Sequence, residues 1–243
     1  MISFLISAIK IIFLLGFLIF IHEGGHFLVA KLCKVKVKEF AIGFGPIIWK
    51  KQGKETKYVL RLVPLGGFVN LLGEEEAVDE EGSFSKAGIF KKIGILLAGG
   101  MVNIIFGLAV YYIVISAMTN IQAGFELTIE FAKTALVSVK DLFTGNVGVD
   151  QLTGPVGISE VVVQTKNVSQ FVYILAVISF SLGVTNLLPI PPLDGGKILL
   201  VIIEGIMRKP IKEKVSVAIQ MTGFFLIMGL AVLVTYNDVL RVF

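Results

Sequence analysis

The two histidines of this 243-residue chain lie four positions apart, in the segment His22-Glu23-Gly24-Gly25-His26. Residues at positions i and i+4 of an α-helix share one face, so both imidazoles could bind the same metal ion. Glu23 directly follows the first histidine and could take a proton from a water molecule beside that metal. The spacing therefore predicts a metal centre with its own base. The structural alternative is a pair of histidines hydrogen-bonded inside a helix bundle.

A catalytic zinc ion usually has three protein ligands and one open position for water, so two histidines leave such a site incomplete. An acid in another apolar segment is the natural third ligand, and Asp194 lies in the proline-rich stretch 186–196. Prolines break a helix, and unwound backbone at membrane depth is tolerated where it lines a cavity. A carboxylate buried there is costly unless it is paired or bound to metal, which favours Asp194 as a ligand.

Three other polar residues near this stretch leave further assignments open. Glu204 and Lys197 are rivals of Asp194, but we expect Glu204 to face water and Lys197 to extend its ammonium group to the interface. Asn186 could donate a hydrogen bond to a developing oxyanion, which would make it a second catalytic residue beside Glu23. It could equally cap the end of the broken helix.

Composition indicates an integral membrane protein. The chain is 55% hydrophobic with a mean hydropathy of +0.87, and only 16% of its residues are charged, against about a quarter in soluble domains. Four apolar stretches approach or exceed the ~20 residues that a membrane-spanning helix needs, at about 4–32, 93–118, 167–193 and 215–237. The lysines lie beside these stretches, which excludes a nucleic-acid-binding protein. The single cysteine, Cys33, cannot form an internal disulfide.

The distribution of basic residues predicts the orientation in the membrane. Lysine and arginine are concentrated between the first and second spans and between the third and fourth, whereas residues 119–166 carry more acids than bases. The positive-inside rule therefore places the two basic connections in the cytoplasm and both termini outside. The histidines then lie within the membrane, on the cytoplasmic side of its middle.

The connections themselves are predicted to be structured. Residues 35–72 alternate and are rich in strand formers, which predicts a small β-meander against the membrane. The acidic run at 74–81 is typical of a solvated loop, with a calcium site as the alternative. An amphipathic helix is predicted at about 125–143, either at the outer interface or packed on the spans. Its apolar stripe comprises Phe125, Ile129, Ala132, Leu136, Val139 and Phe143.

These motifs together carry a family resemblance. H-E-x-x-H in a first span and N-x-x-P-x-P-x-L-D-G in a third resemble the site-2 protease family of intramembrane zinc metalloproteases. Within it the chain is similar to the bacterial regulator-of-sigma-E protease branch. Further matches are Gly43-Phe44-Gly45, Pro64-Leu65-Gly66-Gly67 and Gly154-Pro155-Val156-Gly157-Ile158, so the resemblance covers nearly the whole chain.

The resemblance implies one zinc ion held by His22, His26 and Asp194, with Glu23 as the catalytic acid and base, and no other cofactor. It implies a multi-pass protein of the bacterial inner membrane with a cytoplasm-facing site, and substrates that are single-span proteins in the lipid bilayer. Anti-sigma factors and remnant signal peptides are such substrates, and an upstream site-1 protease is the implied partner. Relatives usually carry a PDZ domain between spans two and three, and residues 119–166 are too few for one.

Two functions of other classes are compatible with the same residues. A divalent-metal transporter also uses histidine and aspartate near mid-membrane, but it needs no base such as Glu23. A catalytically silent scaffold that binds transmembrane helices would need neither the base nor the ligands, whereas this chain retains the complete set.

Overall fold

The computed structural model describes residues 2–74, 76, 78–146, 148 and 152–242 of the chain. Seven helices and two long strands follow one another in the order α1 (Ile2–Leu32), β1 (Val37–Gln52), β2 (Lys57–Leu71), α2 (Ile89–Met118), α3 (Ile121–Thr144), α4 (Pro155–Val163), α5 (Val168–Asn186), α6 (Asp194–Met207) and α7 (Glu213–Val242). The chain folds into two compact units. One comprises Met1–Ile11, Ile104–Ser181 and Phe224–Phe243, and the other comprises Ile12–Asn103 and Leu182–Gly223.

Four of these helices are long and apolar enough to cross a membrane, as the sequence predicts: Leu5–Leu32, Ile89–Met118, Val168–Asn186 and Glu213–Arg241. The third is shorter than expected, because α5 ends at Asn186 and not near residue 193. Prolines 189, 191 and 192 cannot donate backbone hydrogen bonds and so stop the helix. The chain becomes helical again at Asp194, the first residue of α6.

The buried face of α1 explains why both histidines point into the protein. Leu14, Leu18, His22, His26 and Ala30 follow one another at steps of four and are all at most 8% exposed. This stripe is one side of the helix. It ends in a core that joins α1, both strands, α2 and α6, formed by Ala30, Val35, Val37, Leu71, Phe84, Ile95, Leu96 and Val201.

The two strands form the predicted small sheet, and β1 pairs with β2 along three stretches. Val37–Ile42 pairs with Gly67–Leu71, Phe44–Gln52 pairs with Lys57–Val63, and Glu39–Ile42 also pairs with Lys57–Leu60. Lys57–Leu60 therefore has a partner on both sides. Gly67–Leu71, the edge segment, has a strand on one side only among the described residues, so its other side offers backbone groups for pairing.

Glu39 fixes the two strands to each other by charge. Lys57 Nζ donates to its carboxylate at 2.9 Å and Arg61 Nη2 at 3.3 Å. Partial burial raises the pKa of Glu39, but these two hydrogen bonds outweigh it and hold that pKa below its usual value. The ion pairs are therefore intact at neutral pH, and they weaken only as the pH falls through that lowered pKa.

Helix α3 is amphipathic as predicted, but its protein-facing side differs from the predicted stripe. Phe131 stacks on Tyr111 of α2 with ring centroids 4.4 Å apart and lies 5.1 Å from the Phe180 ring of α5. Phe125 and Leu136 are instead 60% and 58% exposed. The helix thus packs on α2 and α5 through Phe131, while Phe125 and Leu136 of the predicted stripe face outward; the side chain of Phe143 lies outside the described ones.

Two buried polar contacts organise the unit that contains α4. Asp238 of α7 is 2% exposed and accepts hydrogen bonds from the backbone N–H groups of Gly154 and Gly157. It thereby satisfies free donors at the start of α4, which has no side-chain cap of its own. Lys10 Nζ donates to the carbonyl and hydroxyl oxygens of Thr165.

Candidate metal centre and active site

Three ligand atoms converge where α1 meets the start of α6. Asp194 Oδ2 lies 3.2 Å from His22 Nε2 and 3.1 Å from His26 Nε2, and the two imidazole nitrogens are 3.3 Å apart. Ligands about 2.0–2.1 Å from a tetrahedral zinc ion lie about 3.3–3.4 Å from one another. The separations therefore fit a zinc ion bound by these three atoms.

The hydrogen bonding of His26 fixes how its ring faces the other two candidate ligands. Its Nδ1 lies 2.7 Å from the carbonyl oxygen of Ile95 on α2, and a carbonyl only accepts, so Nδ1 carries the proton. In the neutral ring, Nε2 then presents a lone pair towards the Asp194 carboxylate. A carbonyl that orients a ligating histidine in this way is a common feature of metal sites.

Two glycines let α1 and α2 approach closely enough to build this centre. A Cβ on Gly25 would lie 2.6 Å from the carbonyl oxygen of Ala98, and a Cβ on Gly99 would overlap Nε2 of His26. Neither position has room for a side chain. This role was not predicted from the sequence, where its signal is the small-residue run at 98–100 inside an otherwise bulky apolar helix.

Glu23 lies next to the sheet as well as the metal ligands. A Cβ on Gly67, the first residue of the edge segment, would lie 3.1 Å from Glu23 Cγ and 3.0 Å from Ile19 Cγ2. The Glu23 carboxylate is also within electrostatic reach of His22, His26 and Asp194. The candidate base therefore lies close to the start of the edge segment.

Two of the other candidate residues form hydrogen bonds with residues that are not metal-ligand candidates. Glu204 accepts a hydrogen bond from the Ile211 N–H at 2.9 Å, so it stabilises the turn after α6. Lys197 does not extend freely to the interface as expected but donates to Glu74 Oε1 at 2.7 Å. Asn186 is half-buried at the last position of α5, where its catalytic role remains a prediction.

The acidic run does not form a calcium site in the part of the chain that the structure describes. Glu74 pairs with Lys197, Glu80 with Lys36, and Asp79 with Lys86. In the described residues, the only cluster of three metal-ligating side chains is His22, His26 and Asp194. Glu75 of the run lies outside the described residues.

Asp194→Ala should remove the third ligand and weaken zinc binding by at least about 100-fold while the four long helices remain formed. The measurement is a zinc titration of purified apo-protein against a competing chelator. Glu204→Ala is the matched control, because Glu204 is an acid on the same helix whose carboxylate accepts from the Ile211 N–H. Unchanged zinc affinity in Asp194→Ala would show that the ligand assignment is wrong.

Comparison with known proteins agrees with this centre. The model of peptidase family M50 matches residues 10–230, which include both histidines and Asp194. The chain belongs to peptidase family M50. This is the site-2 protease family that the sequence motifs resemble.

Several curated bacterial proteins are similar to this M50 peptidase. A Clostridium acetobutylicum protein provisionally named as a zinc metalloprotease is 29% identical over 92% of this chain and 94% of its own. Zinc metalloprotease RasP of Shouchella clausii is 35% identical over 53% of this chain and 31% of its own. Protease RseP of Yersinia pestis is 37% identical over 52% of this chain and 34% of its own.

This M50 peptidase is therefore a zinc metalloprotease and a multi-pass membrane protein. The match to the Clostridium protein extends over 320 positions, more than the 243 residues present here, so that relative contains an insertion. In this chain the described residues between α2 and α5 form α3 and α4. No PDZ domain is evident in this connection.

Proposed function

We propose that this peptidase hydrolyses peptide bonds within the transmembrane segments of single-span proteins, from the cytoplasmic side of the bacterial inner membrane. The observation that carries the proposal is the position of the metal ligands. His22 and His26 lie inside the apolar helix Leu5–Leu32, which is long enough to cross a bilayer. A metal centre at that depth can reach only substrates that enter the membrane.

The depth and side of the site follow from charges along α1. His22 is twelve residues after Lys10, or about 18 Å along the helix axis, and Lys31 follows five residues after His26, about 8 Å further. The basic segments after α1 and between α6 and α7 favour the cytoplasm for the Lys31 end. The ligands thus lie nearer the cytoplasmic surface.

The chemistry divides between the zinc ion and the residues around it. Bound zinc would supply a Lewis acid that makes water acidic enough to lose a proton near neutral pH. Glu23 accepts that proton as the water attacks the scissile carbonyl, and then returns it to the leaving nitrogen. We assign to Asn186 a hydrogen bond to the developing oxyanion.

The natural substrates that we propose are single-span proteins already shortened outside the membrane, such as an anti-sigma factor cut by a site-1 protease, or remnant signal peptides. A transmembrane helix hides its carbonyl groups in hydrogen bonds, so it must unwind before hydrolysis. The edge segment begins beside Glu23 and has one unpaired side. Adding the unwound substrate as a strand there would replace the lost hydrogen bonds.

The direct test uses purified protein reconstituted in vesicles with a single-span reporter. We expect cleavage inside the apolar segment of the reporter, mapped by mass spectrometry of both products. A chelator should abolish cleavage and added zinc should restore it. Cuts only in extramembrane loops, or none in a panel of single-span reporters, would show that the proposed activity is wrong.

Val69→Pro in the edge segment should slow cleavage of a helical reporter by roughly tenfold, because one pairing group is lost. Adjacent strand residues direct their N–H groups to opposite sides, so Phe68→Pro is the matched comparison. We expect Val69→Pro to slow cleavage at full zinc content and Phe68→Pro to disturb pairing with β1. Reporters rich in glycine or proline near the cut should be affected least, since little helix must unwind. Loss of activity only together with loss of zinc would contradict strand addition.

A further inference from the structure

We propose that Lys197 and Glu74 are positioning residues that hold the end of the edge segment against the helix carrying Asp194. The inference rests on the proposed role of that segment in binding substrate. It assigns a function to an ion pair that neither binds the metal nor contacts the base. Its consequence is that the distance between the bound substrate and the metal centre is fixed by a link outside the centre.

The geometry joins the two parts directly. Lys197 follows Asp194 by three residues, which is about one turn of α6, and its Nζ lies 2.7 Å from Glu74 Oε1. Glu74 lies in the turn just after Leu71, where the edge segment ends. The Glu74 side chain is only 19% exposed and that of Lys197 37%, so the pair is partly shielded from water. Shielded pairs are less screened than pairs on the open surface.

The opposite end of the edge segment is fixed by different contacts. Gly67 packs on Glu23 and Ile19 of α1, the helix that supplies both histidines. At the Glu74 end, Leu71 lies in the core that also contains Val201 of α6, and the Leu72 N–H donates to Lys36 just before β1, so this end stays packed without the ion pair. What the Lys197–Glu74 pair adds is a polar link to α6 about one turn from Asp194. It thereby fixes the end of the segment close to the α6 residue proposed as a metal ligand.

The charges around Lys197 favour a positioning role over one that only stabilises the turn containing Glu74. The ammonium group is within electrostatic reach of Asp194 and Glu23 as well as Glu74. The hydrogen bond to Glu74 Oε1 directs the ammonium group to the turn after Leu71. A second ion pair, Lys36–Glu80, also fixes the residues that follow Leu71, but it joins them to the residue before β1 and not to α6. Its side chains are 42% and 53% exposed. It is therefore a natural control.

The experiment measures kcat and KM for a helical single-span reporter with Lys197→Met, Glu74→Gln, the double variant and Lys197→Arg. Small misplacement of a substrate costs up to about 100-fold, so we expect kcat/KM to fall roughly 10- to 100-fold in both single variants. The double variant should be no worse than either single one, since both remove the same link. Lys197→Arg should regain most of the activity. Zinc content and thermal stability should match the wild type throughout, which a merely structural role would not allow.

The control pair, Lys36→Met and Glu80→Gln, should change kcat/KM by less than about twofold, because exposed pairs contribute little. Unchanged cleavage in both Lys197→Met and Glu74→Gln, additive losses in the double variant, or a loss in Glu74→Gln alone would each overturn the proposal. Failure of the proposed function is recognised separately: the wild type would then not cut the reporter, or Val69→Pro would have no effect at full zinc content.

Discussion

Glu23→Gln should retain its zinc ion and lose about two to four orders of magnitude in kcat, the contribution typical of a general base. The substitution keeps the size and most of the polarity of the side chain but removes its ability to accept a proton. The residues whose ligand atoms converge are His22, His26 and Asp194, so the substitution changes none of the proposed ligands. The measurement combines metal analysis with single-turnover cleavage of the reporter.

Two comparisons make this result specific. His22→Gln should lose both zinc and activity, which separates loss of a ligand from loss of the base. Mass spectrometry of membrane proteins that accumulate uncut in cells with Glu23→Gln would identify the natural substrates.

Cleavage by Glu23→Gln at a rate near that of the wild type would exclude Glu23 as the base. Metal transport that persists in this variant, without any hydrolysis by the wild type, would indicate a transporter.

Gly99→Ala should weaken zinc binding although it changes no ligand. The added Cβ would overlap Nε2 of His26, the atom that faces the metal. The helices cannot separate freely, because Gly25 already packs on Ala98 and His26 Nδ1 donates to Ile95. Overpacking of this kind costs about 1–3 kcal/mol, which corresponds to roughly a 10- to 100-fold loss of affinity.

Gly94→Ala on the same helix is the matched control, because a Cβ there meets nothing within 4 Å. It should leave zinc affinity unchanged and stabilise α2 slightly, since alanine favours helix more than glycine does. Competition titration with a chelator measures both variants. Equal zinc affinity in Gly99→Ala and Gly94→Ala would mean that the close approach of α1 and α2 is not needed to form the centre.

The candidate metal ligands could be proposed from the sequence because chemistry restricts them strongly. Two histidines at helical spacing and one acid after a proline break leave few other arrangements, and the structure places their ligand atoms within 4.8 Å of one another. Gly99 and the Lys197–Glu74 pair could not be predicted in the same way. Their roles arise from contacts between residues far apart in the chain; the small-residue run at 98–100 indicates a close approach but not the residue that approaches.

The orientation of α3 shows a different limit. In a soluble protein an apolar stripe indicates the buried face, because water covers the other side. In a membrane protein lipid is as apolar as the protein interior, so large apolar residues can face outward. Phe125 and Leu136 do so, while Phe131 packs inward. The sequence therefore predicted the helix but not its rotation.

Zinc affinity and the docking of α6 on α1 are thermodynamically linked. Two ligands lie on α1, and the third, 168 residues away from His26, begins α6. An ion that binds only the docked arrangement stabilises it by RT ln(1 + [Zn]/Kd), about 2.7 kcal/mol at a free concentration one hundred times Kd. Metal supply would then change the stability of this docked arrangement as well as the reactivity of the centre.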